Sequence, residues 1–188
     1  MKEKLRKEII EKRIKQSKEE NKRKSKEIKE KLFNLKEYKD AETILFYVSY
    51  NGEVFTHDMI KEAIENKTVI VPITNKDDCS LTLSELRSWD DLETSCYGIL
   101  EPRKECIKEV SIDEIDLIIV PGVVFDIKGN RIGHGKGYYD KLLRNTKGIT
   151  KIGLSFEFQI VENIPIEKHD ISMDKIITEK RIIDRKKN

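Results

Sequence analysis

A segment rich in glycine and charge carries the residue types best suited to chemistry. It reads Arg131-Ile132-Gly133-His134-Gly135-Lys136-Gly137-Tyr138-Tyr139-Asp140. Three alternate glycines let the backbone approach a ligand and turn several N–H groups into one concavity. Lys136 offers a phosphate a point charge, Arg131 offers a bidentate fork, and Asp140 could hold a cation that bridges phosphate oxygens. The segment, placed where a helix begins, predicts an anion-binding turn for a nucleotide triphosphate.

The two common phosphate loops do not match this segment. Five residues, where a Walker A loop has four, separate Gly129 from Gly135, and Gly137 stands where Ser or Thr would bind the metal. For a dinucleotide-binding loop the third glycine comes one position too early. A glycine-rich connection that serves packing alone, with Tyr138 and Tyr139 as boundary aromatics, stays open as the alternative.

The elements that must position this turn follow from apolar patterning. The patterns predict strands over 43–49, 68–73, 80–86, 116–121, 151–156 and 175–178, helices over 56–64, 137–144 and 157–163, and a loop over 88–103. Near-continuous apolar strands separated by helices are typical of a parallel sheet covered on both faces. We therefore expect an α/β fold of three layers, α/β/α, with a mostly parallel, Rossmann-like central sheet.

The first forty residues predict two helices that cover this core. Apolar residues recur at helical spacing, Ser17 to Glu20 forms a capping-box pattern, and Thr56 is a plausible cap for the helix after the first strand. The two faces are marked by Leu5, Ile9, Ile10 and Ile14, and by Asn21, Ser25, Ile28, Leu32 and Leu35. At 188 residues we expect one domain, 1–188, with helices 1–40 packed on the α/β core.

Charge is concentrated in the same region. Residues 1–40 hold 16 Lys and Arg against 9 Asp and Glu, whereas the whole chain has a net charge of only +2. Acidic residues are interleaved throughout, which favours a solvated helical face over a nucleic-acid-binding surface. The aromatic residues expected of a single-strand binder are missing from it.

Other features point to a cytoplasmic protein. The chain has neither a run of about eighteen apolar residues nor an N-terminal signal pattern, so we expect no membrane span and a cytoplasmic location. Cys79, Cys96 and Cys106 are far apart, which predicts reduced thiols. We expect a monomer that binds small molecules and no nucleic acid.

Residues 116–140 contain a long and specific pattern, with Val-Pro-Gly, Phe-Asp, Gly-Asn-Arg and Gly-Lys-Gly-Tyr-Tyr-Asp. In this pattern the chain resembles the 5-formyltetrahydrofolate cyclo-ligase family, also called methenyltetrahydrofolate synthetases. Four further motifs follow the family's order: Lys2-Glu3-Lys4-Leu5-Arg6, Gly52-Glu53-Val54 with Thr56, Tyr97-Gly-Ile-Leu-Glu-Pro102, and His169-Asp170 with Asp174. The resemblance thus extends over nearly the whole chain.

The resemblance implies ATP-dependent conversion of 5-formyltetrahydrofolate to 5,10-methenyltetrahydrofolate, with release of ADP and phosphate through an iminium phosphate. Lys2 to Arg6 and Arg131 to Tyr139 would contact ATP, with Lys136 and Arg131 as catalytic residues. Asp140 and Asp170 would hold Mg²⁺.

The resemblance and the chemistry of concave sites place the folate against Tyr50, Glu53, Phe55 and Tyr138. Phe55 departs from the family, which commonly has an acidic residue there, and His134 stands where the family often has Arg. A phosphosugar isomerase or CoA-transferase-like enzyme without ATP dependence, and a nucleic-acid-binding module, are the alternatives.

Overall fold

The computed structural model describes residues 2–95, 98–167 and 170–187. The described α-helices are α1 Lys2–Lys15, α2 Lys18–Asn34, α3 Lys36–Asp40, α4 His57–Ile64 and α5 Tyr138–Leu143. The described strands are β1 Thr43–Leu45, β2 Thr68–Asn75, β3 Ser80–Leu86, β4 Leu92–Thr94, β5 Leu100–Pro102, β6 Leu117–Val120, β7 Val124–Asp126, β8 Arg131–Ile132, β9 Thr150–Leu154, β10 Ile160–Val161, β11 Lys175–Ile177 and β12 Ile182–Asp184. Cys96, Tyr97 and His169, named above, lie outside the described residues.

A seven-stranded sheet forms the centre, in the order β12-β11-β9-β6-β1-β2-β3. The five strands from β11 to β2 are parallel, and the antiparallel strands β12 and β3 lie at the two edges. The predicted α/β class with a mostly parallel central sheet is confirmed.

Side chains of the central strands alternate between two cores. In β6, Leu117 and Ile119 join the core beneath α2 and α4, whereas Ile118 and Val120 join the core beneath α5. All four are fully buried, because a parallel strand in the middle of a sheet has no face in water. This burial on both faces explains the continuous apolar runs in the sequence.

The chain leaves β1 and β6 in opposite directions. From β1 it passes through α4 to β2 on one side, and from β6 it passes through α5 to β9 on the other. Crossover connections are right-handed, so α4 and α5 must cover opposite faces of the sheet. A crevice opens at the carboxyl ends of these adjacent strands, which is where open α/β sheets bind ligands.

Several predicted boundaries were wrong. β1 ends at Leu45 rather than at Ser49, although the Phe46 N–H still donates to the Ile70 carbonyl at 2.9 Å. The expected loop over 88–103 contains the antiparallel pair β4 and β5. The expected helix over 157–163 is a single 3-10 turn, closed by Gln159 on the Phe156 N–H, followed by β10.

The N-terminal helices bury the faces that the spacing marked, with Ile14 as the exception, and one expected cap is absent. Ile28 and Leu32 of α2 are fully buried, and Ser17 accepts a hydrogen bond from the Glu20 N–H as expected. Ile14 is 66% exposed, so the predicted stripe of α1 ends before it. Thr56 does not cap α4, since its hydroxyl donates to the Tyr47 carbonyl and accepts from the Ser49 N–H.

Ion pairs along the N-terminal helices join five of their basic residues to acidic ones. The pairs one turn apart are Lys7 with Glu3, Lys4 with Glu8, Lys24 with Glu20, Arg23 with Glu27, and Lys36 with Asp40. Such pairs give a helix surface modest support and leave a mixed rather than uniformly positive face. Within 2–95, 98–167 and 170–187, no helix has the length and apolar character that crossing a membrane requires.

Candidate active site

A cleft of about 320 Å³ occupies the crevice between β1 and β6. Its charged wall is the segment from Gly133 to Asp140 together with Arg131, and a second wall is the loop after β1 with Tyr47, Val48, Tyr50, Asn51 and Glu53. A third, mostly apolar wall contains Pro72, Thr74, Leu81, Ile99, Leu100 and Glu101. The cleft therefore sets a charged wall beside a mostly apolar one, an arrangement that could hold an anion next to a partly apolar ligand.

The glycine segment forms the predicted turn, but the helix after it is short. Gly135 has φ of 97° and Gly137, which precedes α5, has φ of 77°, and side chains other than glycine rarely adopt these conformations. α5 has only six residues, so its dipole adds little. The side-chain charges must supply most of the attraction for an anion here.

Arg131 is held at the base of the charged wall by the small sheet of β7, β8 and β10. Its side chain is 5% exposed and forms an ion pair with Asp140, whose side chain is 46% exposed. It also donates to the Pro121 carbonyl at 3.2 Å, while its Nε is buried without a partner. Burial lowers the pKa of Arg131, and the negative charges of Asp140 and Asp170 oppose that shift.

α1 lies against the glycine segment through Arg6, four residues after Lys2 on the same face of the helix. Arg6 Nε donates to the Gly133 carbonyl at 2.9 Å. Lys2 Nζ lies 3.1 Å from Asp170 Oδ2 and 3.0 Å from Glu167 Oε1. Burial acts to lower the pKa of Lys2, but these hydrogen bonds outweigh it and the pKa is raised.

The other members of the N-terminal motif point elsewhere. Glu3 and Lys4 are exposed and pair along the helix, and Leu5 packs in the apolar cluster around Ile9 and Ile132. Asp170 does not line the cleft, although its charge acts on Arg131.

The loop after β1 reaches across to the glycine segment. Glu53 Oε1 lies 3.1 Å from His134 Nε2, and Glu53 Oε2 accepts from the Tyr50 N–H at 2.9 Å. Tyr50 is 45% exposed at the rim of the cleft, and Tyr138 also lines it. His134 thus joins the two walls, a role that its place among glycines gave no reason to expect.

Phe55 is not brought to the cleft. Its ring packs on His57 and lies beneath Lys22, in a groove between α2 and α4. The Phe55 N–H bonds to the Ser25 hydroxyl, which turns this residue away from Glu53. The prediction that Phe55 contacts the same ligand as Tyr50 therefore has no support from the geometry.

Tyr139 presents a buried hydroxyl that has no hydrogen-bond partner, although the residue lines the cleft. Burial raises the pKa of this phenol, and the nearby charge of Glu53 raises it further. The hydroxyl therefore stays protonated at neutral pH and can donate a hydrogen bond to a ligand oxygen.

Sequence reasoning assigned no role to Glu101. This carboxylate lines the apolar wall and accepts a hydrogen bond from the Thr74 N–H at 3.0 Å. A carboxylate beside apolar side chains suits the amino and amide edge of a heterocycle. The motif from Tyr97 to Pro102 was the available signal, because it sets a single acid between apolar residues and proline.

Comparison with known proteins gives a consistent result. The sequence model of the 5-formyltetrahydrofolate cyclo-ligase family matches residues 1–179. A probable 5-formyltetrahydrofolate cyclo-ligase of Caenorhabditis elegans is 34% identical over 176 residues, covering 87% of this chain and 85% of the relative. The 5-formyltetrahydrofolate cyclo-ligase of Haemophilus influenzae is 34% identical over 149 residues, covering 77% of this chain and 79% of its own.

Solved structures agree with the sequence comparisons. The 5,10-methenyltetrahydrofolate synthetase of Aquifex aeolicus has a TM-score of 0.87 and 35% sequence identity, covering 98% of this chain and 92% of its own. The structural match thus covers nearly the whole chain.

Proposed function

Since the chain belongs to the 5-formyltetrahydrofolate cyclo-ligase family, we propose that it converts 5-formyltetrahydrofolate and ATP into 5,10-methenyltetrahydrofolate, ADP and phosphate. The observation that carries the proposal is the single cleft in which Arg131 and Lys136 face an apolar wall with Glu101. A triphosphate and a pteridine need these two environments side by side. A phosphosugar isomerase would not need the apolar wall.

In this reaction the protein contributes mainly positioning and positive charge. The formyl oxygen is a poor leaving group, so the γ-phosphoryl group is transferred to it and the ATP β–γ bond breaks. N10 then attacks the resulting iminium carbon and releases its proton to solvent, and phosphate leaves with the former formyl oxygen. Little of this needs covalent catalysis by a side chain.

Arg131 and Lys136 supply positive charge where the phosphate oxygens gain negative charge. Arg131 is buried and fixed by the Pro121 carbonyl and Asp140, so it needs little reorganisation during the reaction. Lys136 is exposed at the cleft, where it can follow the terminal phosphate. Arg6 and Lys2 would extend the positive surface along α1.

Magnesium would be held by Asp140 and Asp170 together with phosphate oxygens. Among the described residues, no group of three or more His, Cys, Asp or Glu side chains could hold a metal by itself. Two carboxylates still fit, since magnesium bound with a nucleotide takes one or two protein carboxylates plus phosphate and water oxygens. Bound there, the ion would neutralise charge on the phosphates.

The folate would lie across the other two walls. Tyr50 at the rim offers an aromatic face, and Glu53 and Glu101 offer carboxylates to ring N–H groups. Tyr138 would close the pocket beside the glycine segment.

A spectroscopic assay tests the proposal. Purified protein is incubated with 5-formyltetrahydrofolate, ATP and magnesium, and the methenyl chromophore is followed, with parallel samples that lack ATP or contain ADP. We expect product only with ATP. Absence of ATP-dependent product at any enzyme concentration would refute the proposal.

A cytoplasmic location and a monomeric state complete the proposal. The ion pairs within the N-terminal helices support the absence of a nucleic-acid-binding surface. Light scattering would determine the mass in solution, and a filter-binding titration with RNA at low salt would test for the steep salt dependence of phosphate binding.

A further inference from the structure

Arg13 is a buried charge outside the cleft. It lies on α1 one turn after Ile9 and is 3% exposed. Its Nη2 donates to the Asn51 carbonyl at 2.8 Å, and its Nε and Nη1 are buried without partners. Burial lowers the pKa of the guanidinium, while the charge of Glu53 opposes that shift. An apolar residue would fill this place with less loss of solvation, so the arginine calls for another explanation.

The turn above Arg13 has an unusual conformation. Asn51 has φ of 48° and Gly52 has φ of 77°, two successive residues in the left-handed region. A Cβ on Gly52 would lie 3.5 Å from the Arg13 carbonyl oxygen, so the helix backbone passes directly beneath the turn. Asn21 supports the same turn, donating to the Glu53 carbonyl at 3.0 Å and to the Gly52 carbonyl at 3.3 Å.

We propose that Arg13 is a positioning residue that fixes the Asn51-Gly52 turn and thereby aims the Glu53 carboxylate into the cleft. This role rests on the proposed function for its substrate. Arg13 does not line the cleft, whereas Asn51 and Glu53 do. α1 also bonds to the glycine segment through Arg6, so one helix supports both the folate wall and the phosphate wall.

The first test compares Arg13→Gln with Arg13→Lys. Gln removes the charge and the fork, whereas Lys keeps the charge alone. For Arg13→Gln we expect the KM for 5-formyltetrahydrofolate to rise about tenfold, with the KM for ATP changed by less than about twofold. Arg13→Lys should recover part of the loss. Arg23→Gln, at an exposed arginine of α2, is the matched control and should change neither KM.

A second variant perturbs the same contact from the other side. Gly52→Ala strains the turn without altering Arg13, so it should raise the folate KM in the same selective way, and the two changes combined should be less than additive. Hydrogen exchange gives a readout besides activity: amides of 50–54 should exchange about tenfold faster in Arg13→Gln, while those of β6 stay unchanged.

The outcomes separate the two proposals. If the folate KM does not rise more than the ATP KM in either variant, or if the amides of 50–54 keep their protection, the positioning role is overturned. If the wild-type protein forms no methenyl product, the proposed function fails, and the exchange at 50–54 alone decides whether Arg13 fixes the turn.

Discussion

Arg131 and Lys136 bring positive charge to one end of the cleft in different ways. Arg131 is buried and ion-paired, and Lys136 is exposed on the turn between Gly135 and Gly137. A buried, ion-paired charge is already in place before a ligand arrives, whereas a charge on an exposed side chain can adjust its position as charge develops on the ligand. Under the proposed function, Arg131 would mainly hold the bound phosphates, and Lys136 would mainly stabilise charge that develops in the transition state.

Lys136→Ala should therefore reduce kcat more than it weakens nucleotide binding. We expect a loss in kcat of at least about 100-fold, the size seen when a single transition-state donor is removed. Steady-state kinetics measures kcat, and the rise in melting temperature with added nucleotide measures nucleotide binding. Lys141→Ala, at an exposed lysine of α5, is the control and should keep its activity; equal losses in both variants would contradict the assignment.

Tyr139→Phe removes a hydroxyl that the unliganded protein leaves without a partner. We expect the free energy of unfolding to change by less than about 0.5 kcal/mol, because no hydrogen bond is lost. Turnover should fall about tenfold, because the ligand loses a donor.

Tyr47→Phe is the comparison for that experiment. The Tyr47 hydroxyl donates to the Val54 carbonyl at 3.2 Å, so its removal should lower the free energy of unfolding by about 1 kcal/mol. Urea unfolding measures both variants. If Tyr139→Phe is the more destabilised of the two, its hydroxyl has a structural partner and our interpretation is wrong.

α4 places a titratable group at its first turn. His57 Nε2 donates to the Ser49 carbonyl at 2.9 Å, and its ring contacts Phe55 and Trp89. Burial lowers the pKa of His57, the bond to Ser49 opposes this, and the charge of Lys61 adds to it. The folded protein therefore holds His57 neutral at a pH where the unfolded chain takes up a proton.

Stability should consequently fall as the pH drops from about 6.5 through the lower pKa of the folded state. His57→Gln can keep the bond to Ser49 but cannot titrate, so the difference in unfolding free energy between it and the wild type should shrink or reverse at lower pH. Urea unfolding at pH 7.5 and pH 5.5 measures this. A difference that is independent of pH would contradict it.

At the scale of elements, the sequence predicted what depends on long apolar patterns. β2, β6, β9 and β11 are two-sided buried strands and were readily recognised. The pair β4 and β5 was missed because strands of three residues at an edge show no clear alternation. The sequence predicted a helix where the structure has a 3-10 turn at 157–159. A polar cap and spaced apolar residues are compatible with either element.

Some features of the candidate site could likewise be predicted from the sequence, and others could not. Its glycine segment was predictable, because a cluster of glycines and charges has few other uses. Phe55 was misplaced, because the direction of a loop side chain depends on a bond to Ser25 from a distant helix. Arg13 was missed because charged residues in a charged helix look solvated, although its place one turn after Ile9 could have drawn attention to it.

For the whole molecule, the order of strands determines where the cleft lies. β1 and β6 are neighbours, and the chain leaves them toward opposite edges of the sheet. The loops that follow must separate, which leaves the crevice that the glycine segment and Glu53 line. The position of the cleft could not be predicted from the sequence, because the patterns identify strands but do not reveal their order in the sheet.

Nucleotide binding should be visible as a change in global stability. A ligand present at a hundred times its Kd stabilises the folded state by about 2.7 kcal/mol. We expect ATP with magnesium to raise the melting temperature clearly, and ATP with excess EDTA to do so much less, because Asp140 and Asp170 would then repel the phosphates. A scan with magnesium alone is the control. Equal effects with and without magnesium would exclude both carboxylates as ligands.

Two basic side chains in and beside the cleft already have carboxylate partners. Arg131 pairs with Asp140 at the charged wall, and Lys2 pairs with Asp170 next to it. If ATP and magnesium bind as proposed, phosphates would replace the carboxylates beside Arg131 and Lys2, and the metal would take up Asp140 and Asp170. Each of these four side chains would then keep a partner of opposite charge. Binding would be an exchange of counterions, in which the nucleotide and the metal arrive together.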